Sequence, residues 1–213
     1  ISRRLPYKNI KLLHGLPLIC WTIKESLKSK YLTKICVSSD CEKTLEIASN
    51  YESVILVKRP KNLCRPNIDN YKVVDHSLSH IEKNNNLYFD IILLLQPTSP
   101  IRSYRHIDQS VKNLWGSKCN TVASVKGPLN KSRDPNLKKI KNKTMIPWCS
   151  HARSVSSMEK FYIYNASIYG AKREYFKKKK KLTSNQEIPI LMDKFYSIDI
   201  DDIFDFKVAE SYI

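Results

Sequence analysis

The chain has 213 residues, 42% of them apolar and 10% aromatic, enough to bury the core of one domain and to exclude a disordered chain. Its longest aliphatic run, Ile91–Leu95, falls far short of the ~20 residues that span a bilayer, so no transmembrane helix and no membrane partner are expected. The net charge of +17, from 37 Lys and Arg against 20 Asp and Glu, raises two readings: a polyanionic partner, or compositional drift combined with a small anionic substrate.

The elements alternate along the chain. Ile19-Cys20-Trp21-Thr22-Ile23 with Leu27 suits an amphipathic helix, and Ile35-Cys36-Val37 a short buried strand closed by Ser38-Ser39-Asp40. Leu45 and Ala48 have helical spacing within 42–51, and Val54–Val57 reads as the next strand. Val73, Val74, Ser77, Leu78 and Ile81 mark a helix. The run Ile91–Leu95 is wholly apolar, as expected of a central parallel strand covered on both faces. A helix through Ile107, Val111 and Leu114 and a strand at Thr121–Val125 follow. Between 126 and 160 regular patterning fades and Pro128, Pro135 and Pro147 punctuate a basic stretch, which reads as a lid, a dimerisation excursion or a surface insertion. Periodicity returns at Phe161–Tyr169, and Tyr196–Asp202 leads into a terminal helix carrying Phe206, Val208 and Ala209. Strands alternating with helices predict a three-layer α/β fold with a mainly parallel sheet, one domain over 1–213.

Six cysteines occur without a CxxC pair or zinc spacing, and a core of this size needs no disulfide framework, so a reducing, cytoplasmic setting is expected. No basic segment followed by an apolar stretch opens the chain, so no signal peptide is visible.

Sheets of this class bind ligands at the carboxyl ends of their strands. Ser38-Ser39-Asp40 and Gln96-Pro97-Thr98-Ser99-Pro100 stand at such ends. The opening Ser2-Arg3-Arg4-Leu5-Pro6-Tyr7-Lys8-Asn9 is either a basic tail or a cationic loop suited to phosphate. With four glycines and no Walker A or G-x-G-x-x-G motif, a glycine-rich phosphate loop is excluded. Asp199-x-Asp201, on an extended segment, would place two carboxylates on one face, as a surface strand end or as a Mg²⁺ site shared with substrate phosphates. Ile198 and Ile200 should anchor the pair against the core.

Taken in order, Arg4-Leu5-Pro6 with Lys8-Asn9, Ser38-Ser39-Asp40, Arg59-Pro60-Lys61-Asn62-Leu63, Leu94-Leu95-Gln96-Pro97-Thr98-Ser99-Pro100-Ile101-Arg102, Val122-Ala123-Ser124-Val125, Asn165-Ala166-Ser167-Ile168-Tyr169 and Ser197-Ile198-Asp199-Ile200-Asp201 through Asp205 resemble the acylneuraminate cytidylyltransferases. The resemblance covers essentially the whole chain. It implies a nucleotide-diphospho-sugar transferase-like, Rossmann-like fold, and a reaction in which the anomeric hydroxyl of a nonulosonic acid attacks the α-phosphate of CTP. The products would be a CMP-sugar and pyrophosphate. It further implies that Lys8 and Asn9 hold the triphosphate, with Arg3 or Arg4 adding charge, that Arg59 lies beside the cytosine, and that Gln96 faces the sugar acid. Asp199 and Asp201 match the Mg²⁺ carboxylates, with Lys8, Asp199 and Asp201 as the catalytic set. Asn70 stands where a phosphate-contacting serine usually sits. A homodimer is implied, with 126–160 as interface and lid.

The sequence also departs from the family pattern. Ile1 falls inside the phosphate loop, so the usual first strand is not expected within this chain, and Ile163 replaces an arginine expected to meet the sugar carboxylate, with Arg153 as a substitute. The alternatives are a divergent or truncated homologue with impaired catalysis, and a basic nucleic-acid-binding protein. No strand interleaves aromatic and basic residues as the latter would require, so no nucleic acid is expected.

Overall fold

The computed structural model describes residues 4–65, 67–129, 137–147 and 160–213. A 3-10 turn at Lys8–Ile10 leads into a small hairpin, β1 (Leu12–Leu13) and β2 (Leu16–Pro17), then α1 (Leu18–Leu27). Two βα units follow: β3 (Ile35–Ser39), α2 (Glu42–Ser49) and β4 (Val54–Lys58), then α3 (Asn70–Asn85), β5 (Ile91–Leu95) and α4 (Tyr104–Trp115). The remaining elements are β6 (Thr121–Leu129), β7 (Lys138–Lys141), β8 (Thr144–Pro147), β9 (Phe161–Lys172), α5 (Arg173–Lys179), β10 (Ile188–Met192) and α6 (Ile203–Tyr212).

The alternation read from the sequence is present, and the layers follow from the pleat of β5. Ile91 and Leu93 pack on one side with Leu114 of α4, Val122 and Ile190. Ile92 and Leu94 pack on the other with Leu78 of α3 and Phe176 of α5. Helices therefore cover both faces of the sheet, as alternating side-chain directions along a strand require. Helix α4 begins where expected because Ser103 caps it: the Ser103 side chain accepts from the first-turn backbone, and the His106 ring closes the reciprocal bond.

The ladders contain one reversal. β10 pairs with β6 in parallel, and β3 with β4 in parallel. β9 lies between β5 and β6 and is antiparallel to both. Thus β5, β6 and β10 run the same way around one reversed strand. Gly170 marks how closely they approach: a Cβ there would lie 2.8 Å from Val122 Cγ1 and closer still to Leu93.

Two expectations change. The basic stretch from 126 to 160 is not wholly irregular: β6 continues to Leu129, and β7 and β8 form a hairpin turned by Asn142 and Lys143, both at positive φ (50° and 63°). That is the backbone of a two-residue hairpin turn. Its remainder, including Arg153 and Cys149, lies outside the described residues. The run Ile91–Leu95 is only half-buried, although both faces are covered. Its partner on one edge is β9, and its other edge has no strand among the described residues. The free edge of β3 is in the same situation. Both edges, with side chains from α1 and α3, line one cavity of about 850 Å³. Residues 4–8 form no strand. Among the described residues no helix is long and apolar enough to cross a membrane.

Candidate active site

The cavity runs along β3 and β5, and Asn9, Arg59, Asn70 and Gln96 are among the residues that line it, with Ser38 and Thr98. Each is placed by backbone features. Arg59 follows β4, and its N–H donates to Ser39 O at 2.9 Å, extending the β3–β4 ladder by one bond. Its guanidinium turns back onto β3, with Nη2 donating to Ser38 O at 2.6 Å and Nε to Ser38 Oγ at 3.4 Å. Asn70 is the first residue of α3, whose cap is Asp69, accepting from Tyr71 N at 2.8 Å. Gln96 follows β5, and its N–H donates to Ser167 O at 3.2 Å.

Beside this group is a second, charged one. Lys8 is buried, and its ammonium donates to Ile200 O and stands 3.8 Å from Asp201 Oδ1. Arg4 Nη1 lies 3.3 Å from Asp201 Oδ2, with both side chains largely exposed. Arg3 lies outside the described residues. Asp199 and Asp201 lie in the connection between β10 and α6 and belong to no strand. The two carboxylates therefore differ, Asp201 being exposed and Asp199 half-buried. Burial raises the Asp199 carboxyl above its ordinary range, helped by Asp201 and Asp205, while a Thr98 hydrogen bond and the Lys8 charge oppose the rise.

The connection is held at three points. Ile200 is fully buried among Leu5, Leu13, Leu18 and Phe206, and Ile198 packs against the same cluster, as the apolar interleaving suggested. Ile200 N donates to Thr98 O at 2.8 Å. Asp205 accepts from the N–H groups of Asp201 (2.8 Å) and Asp202 (3.2 Å), half of a reciprocal cap on α6. Asp205 thus orients the acidic loop by capping a helix. Thr98 joins the two groups, lining the cavity while bonding the acidic segment.

The donor set suits a hard divalent cation. Asp199 Oδ1 is buried and has no hydrogen-bond partner among the described residues, and the second carboxylate next along the chain is accessible. Two carboxylates are too few for a cage, and among the described residues no third His, Cys, Asp or Glu joins them. Such pairs hold Mg²⁺ together with substrate phosphates.

Arg102, in sequence only the end of the Gln96 motif string, also supports this site. It is 1% exposed and bonds the backbone of the Gln96 loop. Burial pushes its guanidinium down to about 10. Its position in the motif string was visible, but its burial was not. Ile163 sits in the β6–β9 ladder opposite Lys126, half-buried.

The chain is 30% identical to the CMP-N,N'-diacetyllegionaminic acid synthase of Legionella pneumophila, over 98% of this chain and 90% of that protein. It is 29% identical to the N-acylneuraminate cytidylyltransferase of Escherichia coli, over 98% of this chain but 48% of that protein, so it spans about half the length of that relative. The structure of a CMP:2-keto-3-deoxy-manno-octonic acid synthetase complexed with CTP shares the fold, with a TM-score of 0.74 at 12% identity, covering 99% of this chain and 93% of the other. The cytidylyltransferase family profile matches residues 1–135, and with that match the chain belongs to the cytidylyltransferase family.

Proposed function

We propose that the chain transfers CMP from CTP to the anomeric hydroxyl of a nonulosonic acid and releases pyrophosphate. The observation that carries this reading is the half-buried Asp199, with its unpartnered oxygen, beside Lys8 and joined through Thr98 to a cavity lined by Asn9, Arg59, Asn70 and Gln96. The names of the relatives support the same chemistry.

Phosphoryl transfer asks a protein for charge neutralisation and in-line positioning. Lys8 and Arg4, now paired with Asp201, supply positive charge for the triphosphate, with Asn9 and Asn70 as neutral donors. Arg59 lies beside the base, and Gln96 faces the sugar acid. Mg²⁺ on Asp199 and Asp201, when bound, would offset phosphate charge. The anomeric oxygen forms a bond to the α-phosphorus, and the bond from that phosphorus to the bridging oxygen breaks. The hydroxyl proton passes to Asp199, directly or through water. The 126–160 excursion, to which the β7–β8 hairpin belongs, is read as the homodimer interface and as a lid over the sugar, and the protein is assigned to the cytoplasm.

Pyrophosphate release on mixing with CTP, Mg²⁺ and a panel of sialic, legionaminic, pseudaminic and 3-deoxy-octulosonic acids tests the reaction. Release with a nonulosonic acid is expected. No release with any sugar, together with polynucleotide binding that weakens steeply with salt, would replace this reading by a nucleic-acid-binding one. Sedimentation at micromolar concentration tests the dimer, which a monomer would refute.

A further inference from the structure

Arg102 is 1% exposed, and all its described hydrogen-bond acceptors are neutral. Nη1 donates to Gln96 O (3.1 Å), Ser167 O (2.9 Å) and Ser167 Oγ (3.2 Å), Nη2 donates to Thr22 Oγ1 (2.8 Å), and Nε has no partner. The charged and titratable groups that act on it are Glu25 of α1, occupied by Lys28 and Tyr104 N, and His106 of α4. A buried cation without a carboxylate is costly, and an apolar residue of similar volume would commonly be as stable there. Its planar fork does what no apolar side chain can: it ties together three separate elements.

These elements meet at the site. The Gln96 peptide is held on both sides, its N–H on Ser167 O and its carbonyl by Arg102. Ser167 follows Ala166, at φ 60°, where β9 departs from regular pairing with β6. Thr22 brings in α1. Two residues beyond Gln96, Thr98 holds Ile200 N and the Asp199 carboxyl. One guanidinium therefore anchors the loop from which a cavity-lining carboxamide and the acidic segment both take their places.

We propose that Arg102 is a positioning residue for the transfer reaction, setting the 96–99 loop so that Gln96 reaches into the cavity and Thr98 holds Asp199 in register with Lys8. The proposal rests on the function proposed above, but the clamp can be read without it. Arg102→Lys keeps the charge but cannot bridge the three elements, and Arg102→Met keeps the approximate volume with no donor.

Amide hydrogen exchange is measured on the folded parent and both variants. Exchange at Gln96 and Ile200 should quicken in the variants far more than at Leu94 and Val122, which pair within the β5–β9 and β6–β9 ladders. In pyrophosphate-release kinetics, kcat should fall ~10–100-fold with the KM for CTP little changed, because a displaced reacting group costs rate rather than nucleotide binding. If Arg102→Met does not fold, Arg102→Lys supplies both readings. Uniform quickening at all four amides, or a parental kcat in Arg102→Lys, would overturn the proposal. A parent that releases no pyrophosphate with any sugar would overturn the function instead, with the exchange pattern still deciding the clamp.

Discussion

Replacing Asp201 by asparagine keeps the shape of the side chain and removes one charge. In the resting structure that charge is engaged by Arg4 at 3.3 Å and approached by Lys8 at 3.8 Å. Arg4 and Asp201 side chains are 72% and 59% exposed, so solvent screens their attraction. Loss of such contacts should cost at most about 1 kcal/mol, a melting shift of ~2–4 °C for a chain of this size. Asp201 is also a like charge raising the Asp199 carboxyl, and relieving it offsets part of that cost. The reaction is affected on a different scale. If Asp201 holds Mg²⁺ against the triphosphate, losing ~3–4 kcal/mol of transition-state stabilisation slows turnover ~10²–10³-fold. Asp201→Asn should therefore melt within a few degrees of the parent while its Mg²⁺-dependent pyrophosphate release nearly disappears. Chelation should abolish release in the parent, and Asp199→Asn should behave alike in turnover. Full Mg²⁺-dependent activity in Asp201→Asn, or a large drop in melting temperature with proportionate loss of rate, would refute the metal role.

Three further outcomes follow from the packing. Lys8→Met removes a charge-assisted bond from a buried ammonium to Ile200 O and should lower unfolding stability by ~1.5–3 kcal/mol, against ~0–1 for the exposed Arg4→Ala, as compared by urea midpoints. Glu187 is 1% exposed, and burial raises its carboxyl above the ordinary range despite bonds from Ser184 N and Tyr164 Oη. Folding then favours its protonated form, so stability falls as pH rises through the raised value and no penalty remains below the unfolded one. Melting curves from acid to neutral pH should show Glu187→Gln gaining on the parent as pH rises, and a pH-independent difference would count against this. Gly170→Ala places a methyl against Leu93 and Val122 between β5 and β6 and should destabilise by ~1–3 kcal/mol in denaturant titration.

Local patterning determined much of this protein. The run Ile91–Leu95 marked a strand apolar on both faces, and Ile107, Val111 and Leu114 a helix, because burying one helix face imposes a period of 3.6 residues. Ile198 and Ile200 announced that the acidic pair would be anchored to the core. The order of the strands was different. That β9 enters reversed between β5 and β6 depends on pairing between segments ~75 and ~45 residues apart, which no local period records. The hairpin of β7 and β8 was hidden because its strands are four residues each and β7 is lysine-rich, leaving little apolar alternation to read. The site shows the same division. The sequence supplied Lys8, Asp199 and Asp201 by charge and placement, and Arg59 and Gln96 through the family resemblance. Only the tertiary structure decided that Lys8 is buried against Ile200, that Asp199 and Asp201 sit in unlike surroundings, and that Arg102 lies at the centre of the supporting bonds. Burial and charge environment are set by what folds over a residue from elsewhere in the chain, so they are fixed only when distant segments meet.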